Sequence, residues 1–160
     1  MSTPPEPYAN LLARRWQLEI NMGTTAVPDW QVFPGISEFQ PASEPNFEDS
    51  SAYEDGGWAG NEKTGQEWEL SVTFTRRGRP TAKTYHPVHE KVHLAHYAYG
   101  AANKVHLRYM DRDEMPEAYE GFAVPNWAPA GGSRTDLEQI ELTLTGDGPL
   151  LPIANPLATP

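Results

Sequence analysis

Gln66-Glu67-Trp68-Glu69-Leu70-Ser71-Val72-Thr73-Phe74-Thr75 alternates without a break. Trp68, Leu70, Val72 and Phe74 fall on one side, and Glu67, Glu69, Ser71, Thr73 and Thr75 on the other. A side-chain period of two belongs to an extended strand with one buried and one wet face, so this stretch reads as the longest strand of a β-protein. The same alternation recurs in Trp16, Leu18 and Ile20, in Val105, Leu107 and Tyr109, and in Ile140, Leu142 and Leu144, the last run stopped by Gly146-Asp147-Gly148. Shorter candidates lie at Trp30 to Phe33, Ile36 to Phe39 and Tyr119 to Trp127.

One segment carries helical spacing instead. Val88, Val92, Ala95 and Tyr99 form one apolar stripe, Pro87 suits a first turn, and Gly100 and Asn103 mark an end, which predicts a helix over about 87–102. A single helix among many alternating strands predicts a mainly β fold, an antiparallel β-sandwich or barrel with one flanking α-helix. Both ends are rich in proline, which removes backbone donors and favours extended chain. The expected organisation is therefore an N-terminal arm at 1–11, a domain at 12–148 and a C-terminal arm at 149–160.

Composition narrows the function classes. The 160 residues suit one domain with a real core. Twelve basic residues against 22 acidic ones give a net charge of -10, which argues against a conventional nucleic-acid binder. An acidic wall would still let DNA slide past. There is no cysteine, so disulfides and thiolate metal sites are excluded. Met1 to Pro7 has no secretory pattern, and no apolar run reaches membrane-spanning length; synthesis and assembly in cytoplasm and no membrane partner are the expectation.

The motif most suggestive of chemistry is His89-Glu90-Lys91-Val92-His93, a literal H-E-x-x-H. In zinc peptidases that spacing puts two imidazoles on one helical face with the glutamate as general base. The extended version fails, with His96 where glycine is expected and Tyr99 where a third histidine is expected; Glu114 or Glu117 would have to serve as third ligand. The competing reading places His89, His93 and His96 on a solvated or interface face opposite the apolar stripe, and no catalytic, cofactor or metal residue is assigned. Gly78 to Thr84 lacks a phosphate loop's second glycine, Asp111 to Asp113 leads to Pro116 where a calcium loop needs glycine, and no nucleophile elbow is present. Trp16 and Trp68 are in phase with buried positions, whereas Trp58 and Trp127 read as loop or strand-end residues suited to contacts between subunits.

Charge is segregated along the chain. From Glu38 to Glu69 nine acidic residues face only Lys63, and Arg76, Arg77 and Arg79 follow closely. This is either a solvated acidic face with a basic turn, or complementary charge between copies.

Several segments in order carry a family resemblance. Asp49-Ser50-Ser51-Ala52-Tyr53-Glu54-Asp55-Gly56-Gly57-Trp58, then Asn61-Glu62-Lys63-Thr64-Gly65 and the long strand, resemble the acidic Gly-Trp loop, Lys-Thr turn and Trp-bearing strand of phage tail tube proteins. Pro34 to Phe39, Thr73 to Gly78, Val105 to Asp111, Pro116 to Gly121, Thr143 to Gly146 and Asn155-Pro156 extend the likeness to nearly the whole chain, from about Trp16 to Pro156. It is similar to the major tail protein of long-tailed, non-contractile phages, particularly of actinobacteria. The resemblance implies a structural virion protein and no enzyme, forming hexameric rings stacked into a tube through which DNA leaves the capsid. It also implies tape-measure, tail-terminator and baseplate partners, and a location in the virion tail. Under it, Glu67, Glu69, Ser71, Thr73 and Thr75 are the lumen-facing candidates. Asp49, Tyr53, Glu54, Asp55, Trp58, Arg76, Arg77, Arg79, Leu150 and Leu151 are the inter-subunit candidates, and the loop Phe47 to Thr64 becomes ordered between rings. A zinc metallopeptidase, a monomeric binding module, and another ring-forming tail or secretion-tube protein are the competing readings.

Overall fold

The computed structural model describes residues 3–158, apart from the Asp55 side chain. In chain order the strands are β1 (Trp16–Asn21), β2 (Trp30–Val32), β3 (Ile36–Asp49), β4 (Asn61–Thr75), β5 (Gly78–Arg79), β6 (Thr84–Tyr85), β7 (Val105–Asp111), β8 (Ala118–Pro129), β9 (Gln139–Gly146) and β10 (Leu151–Pro152), with α1 (Pro87–Tyr97) between β6 and β7. The main sheet runs β2-β1-β7-β8-β9-β4-β3, antiparallel throughout, with β10 added on β8; β5 and β6 form a separate small ribbon.

The two end strands of this order are neighbours in the chain. Only Phe33–Gly35 separates β2 from β3, so one segment pairs first with β1 and then with β4. The Phe33 N–H donates to Leu18 O at 2.8 Å, and the Thr75 N–H donates to Gly35 O at 3.0 Å. A strand that changes partner at a bend rolls a sheet over on itself. Gly35 makes the bend possible: its φ is +83°, and a Cβ there would sit 2.6 Å from Thr75 O.

The rolled sheet encloses the apolar halves of the alternating runs. Leu18, Ile20, Leu70, Val72, Phe74, Leu107, Ile140, Leu142 and Leu144 are all buried in one cluster. Val88, Val92 and Ala95 of α1 join it, and the helix starts where the sequence places it, with His86 as N-cap and Pro87 in the first turn. Mainly antiparallel β with one helix among the described residues is the fold class that the alternation predicts.

Element bounds differ from expectation in instructive places. β3 has fourteen residues rather than the four at Ile36 to Phe39, because Pro41 and Pro45 read as breaks. They are tolerated because β3 is an edge strand with no partner beyond β4. β4 starts at Asn61, not Gln66, and its first residues show no apolar alternation because both faces are exposed. α1 ends at Tyr97 rather than near 102; a 3-10 turn at Gly100–Asn103 follows, and Tyr99 is exposed. The C-terminal segment lies on its own domain: β10 pairs with β8, the Ile153 N–H donates to Ala118 O, and the buried Asn155 amide donates to Asp111 O and Met115 O.

Candidate assembly surfaces and the histidine motif

β4 gives one polar face to the outside of the sheet, and its neighbours extend it. Glu69, Ser71 and Thr73 stand beside Ala42, Gln40 and Glu38 of β3 and beside Thr145, Thr143 and Glu141 of β9. Beyond β9, Val124, Asn126 and Ala128 of β8 continue the rows. Glu67 and Thr75 lie on the same side by the two-residue period. Four of the lumen-facing candidates, Glu69, Ser71, Thr73 and Thr75, thus sit together on a four-stranded surface that contains glutamates, small hydroxyls and amides, and no Lys or Arg at these positions, while Glu67 lies just beyond it, opposite Glu44 of β3 alone. Glu38, Gln40, Glu141, Thr143 and Asn126 belong to it equally. Sequence reading missed them because phase relative to β4 is set by pairing, which one strand cannot reveal.

Beyond the body, β3 and β4 continue as a two-stranded hairpin. Residues from Ser43 to Asp49 pair with Asn61 to Trp68, while β9 stops at Glu69. The loop proper is therefore only Ser50–Gly60, shorter than the Phe47 to Thr64 loop expected from sequence. Ser50 N–H to Gly60 O at 2.9 Å and Gly60 N–H to Ser51 Oγ at 2.8 Å close its base. Hydrogen bonds from Ser51 hold the Asp49 carboxylate below its ordinary pKa, the side-chain bond contributing most. At the tip, Gly56 and Gly57 take φ of +64° and +89°, and Tyr53, Glu54 and Trp58 project into solvent, Trp58 being 82% exposed. The backbone of Asp55 lies in the same turn; its side chain lies outside the described residues.

The basic turn separates into two parts. Arg77 and Arg79 are exposed on and beside β5. Arg76 is corrected out of the inter-subunit set, because its guanidinium is enclosed by its own fold, with Nε left unpartnered among the described residues. It lies 3.7 Å from the Tyr85 ring centroid, 3.6 Å from Glu90 and 3.7 Å from Glu138, with its side chain 11% exposed. Trp127 is corrected likewise: it is buried, edge-on to Phe74 and stacked on His93. Leu150 packs against the core, whereas Leu151 remains exposed on β10.

The H-E-x-x-H residues are structural. His89 is 0% exposed, wedged between Phe33 and Phe74, on the buried side of α1 rather than on a solvated face opposite the stripe. Its Nδ1 accepts the Arg77 N–H at 3.3 Å and its Nε2 lies 2.8 Å from Pro34 O, which fixes the Nε2–H tautomer and leaves no lone pair for a metal. Burial pushes its pKa down to about 4; the Pro34 bond opposes this, and His86, Arg76 and Arg77 add to it. His93 faces Arg76 at 3.4 Å. His96 turns to β8, where its Nδ1 accepts the Trp127 N–H at 3.2 Å. Among the described residues no three potential metal ligands converge.

No family model and no curated protein sequence matches this chain. Its fold, however, recurs in solved structures. The SPP1 tail tube shares it. That likeness covers 91% of this chain and 80% of that one, with 13% identity and a TM-score of 0.62. A chain in the virion of a native gene transfer agent particle is similar over 91% of this chain and all of its own, at 11% identity and a TM-score of 0.68. A chain of that agent's empty-particle tail, determined with C6 symmetry, matches at 12% identity and a TM-score of 0.64, over 91% of this chain and 100% of that one. A chain of the six-fold symmetrised anti-feeding prophage baseplate matches at 12% identity and a TM-score of 0.57, over 94% of this chain and 97% of that one. At these identities the likeness establishes the fold.

Proposed function

We propose that this chain is a structural tail protein that polymerises as stacked hexameric rings into a tail tube, the conduit for DNA ejection. The observation that carries the reading is the four-stranded polar face of β3, β4, β9 and β8, which turns away from the core and bears glutamates without a cation. Six such sheets would supply about 24 strands, and at ~4.8 Å per strand a wall ~115 Å around. That is beyond the size at which barrels leave an aqueous channel. Glu38, Glu69 and Glu141 in the wall would repel phosphates, so DNA would pass without the cation contacts that make it bind. The sequence resemblance supports the assignment to long-tailed, non-contractile phages of actinobacteria. It supports equally a place in the virion tail after assembly in the host cytoplasm, contacts with tape-measure, tail-terminator and baseplate proteins, and the absence of enzymatic activity.

The hairpin tip and basic turn fit contacts between copies. Asp49, Glu54 and Trp58 on one copy would meet Arg77 and Arg79 on another, and opposite charge would set partner and orientation more than affinity. The likeness to a baseplate chain favours one second reading, a ring component that does not stack. Electron microscopy of the purified protein tests both: hollow tubes support the proposal, single rings favour the second reading, and persistent monomers at high concentration overturn both.

A further inference from the structure

A second polar cluster lies on the face of β1, β7 and β8 turned away from the core, and one asparagine ties it to the loop at 22–29 that joins β1 to β2. Asn21 is 3% exposed and uses its amide completely. Its Oδ1 accepts the N–H groups of Gly23 and Asp29, both at 2.9 Å, and its Nδ2 donates to Thr24 O and to His106 Nδ1, both at 3.0 Å. Three of these partners are backbone groups with fixed roles, so the amide cannot be reversed: its oxygen would face Thr24 O and its NH2 would face two N–H groups. His106 Nδ1 must therefore carry a lone pair. The ring proton sits on Nε2, which donates to Glu120 Oε1 at 2.7 Å. Phe122, stacked at 4.4 Å, and Trp30, edge-on at 4.7 Å, hold the imidazole in place. The loop has few other ties: Met22 N–H donates to Asp29 O, and Thr24 and Val27 bond each other.

We propose that the loop at 22–29 is an acid-opened clasp, released when His106 takes up a second proton. That proton goes to Nδ1, where it meets the Asn21 NH2, so two donors face each other with no acceptor between them. Asn21 relieves the conflict only by moving away, which gives up Gly23, Thr24 and Asp29 together. The charges around the ring do not set the direction of this effect. Glu120 on β8 and Glu19 on β1 favour the imidazolium, and Arg108 on β7, paired with Glu19 at 2.9 Å, opposes it. Lys104 on β7 and Asp147 form their own pair at 2.8 Å. All five stay in place whether the loop is closed or open, so they act on both states alike. Asp29 moves with the loop, but its carboxylate is exposed and bonded to Gln31 Nε2, where water screens it. The Asn21 donor acts on the closed state alone, so the open state binds the proton more tightly. Linkage then makes the closed loop favoured at high pH and weakened as pH falls through the histidine range, by at most about tenfold per pH unit. Opening uncovers Met22, which packs on the core, and loosens the short edge strand β2 at Trp30.

Amide hydrogen exchange on the single-species protein at pH 7.5 and 5.0, corrected for the intrinsic pH dependence, tests this. The amides read are Met22, Gly23 and Asp29, normalised to the core amides of Leu70 and Leu142. His106→Gln is the reference that does not titrate, since glutamine can accept from Asn21 and donate to Glu120. Asn21→Asp reverses the polarity: at the cost of the Thr24 bond, its carboxylate still accepts from Gly23 and Asp29 and offers an acceptor to the Nδ1–H of a charged imidazole. Wild-type protection of the three amides should fall at least ~5-fold between the two pH values beyond any change in His106→Gln, and in Asn21→Asp it should rise. Equal changes in wild type and His106→Gln, or a fall in Asn21→Asp like that of wild type, would overturn the inference. If either variant fails to fold, the imidazole nitrogen shifts of the wild-type protein serve instead. A neutral His106 protonated on Nε2, titrating over the interval in which the loop loses protection, supports the clasp; a proton on Nδ1, or loss of protection that does not follow His106, overturns it.

Discussion

His89 provides the deepest test of how the helix is held. Its pKa is pushed down from 6.5 to about 4 because the imidazole is sealed between Phe33 and Phe74, with Arg76 and Arg77 nearby. Between those values the unfolded chain carries a proton on this histidine and the folded chain does not, so stability rises with pH and is lost as pH falls from 6.5 towards 4. At ~1.4 kcal/mol per pKa unit the difference amounts to about 3 kcal/mol, a large share of a domain's net stability. Urea unfolding of the single-species protein at half-unit steps from pH 4 to 7.5 measures it, with His89→Gln as the reference. Glutamine can still donate to Pro34 O and accept from Arg77 N–H but does not titrate. Subtracting the two curves removes the carboxylates common to both. The wild-type curve is expected to fall below the variant's trend by about 3 kcal/mol across that window, while at pH 7 the variant is the less stable, by about 1–2 kcal/mol for lost ring packing. Parallel curves would refute the claim that His89 is buried neutral, and stoichiometric zinc surviving dialysis would refute its assignment as a structural residue.

Three further outcomes follow from the same geometry. Arg15 and Asp111 form a buried pair at 2.7 Å, each side chain 10% exposed, so Arg15→Met should cost about 3–5 kcal/mol in urea unfolding and adding Asp111→Asn should restore part of it. An additive double variant would mean the pair is not coupled. Trp58→Ala should leave unfolding within ~0.5 kcal/mol of wild type, because the ring touches solvent, while sedimentation shows polymer yield falling at least several-fold; normal polymer would remove the hairpin tip from the contacts. Glu69→Lys with Glu141→Lys should still give tubes, now retaining duplex DNA in a salt-dependent way; identical DNA retention by wild type and variant would show that this face does not line the channel.

The sequence was most legible where one face of an element is dry. Trp68, Leu70, Val72 and Phe74 announce β4, and the runs at Trp16, Val105 and Ile140 announce three of its companions, because burial imposes a two-residue period that no other demand erases. Legibility failed where both faces are wet. The outer halves of β3 and β4 carry no apolar rhythm, so Pro41 and Pro45 read as interruptions in what is one continuous edge strand. It failed again at charge, where Arg76 among Arg77 and Arg79 reads as surface although Tyr85, Glu90 and Glu138 enclose it.

The chain by itself determined the β class, the single helix with its proline start, and the exclusion of cysteine chemistry, since each depends on local composition and period. Only the tertiary structure decided which polar residues share a face, which edges stay open, and that the histidine motif is a packing device. Those are properties of partners brought together from distant segments. Pro34 and Arg77 occupy both nitrogens of His89, and no spacing within the motif could have shown it.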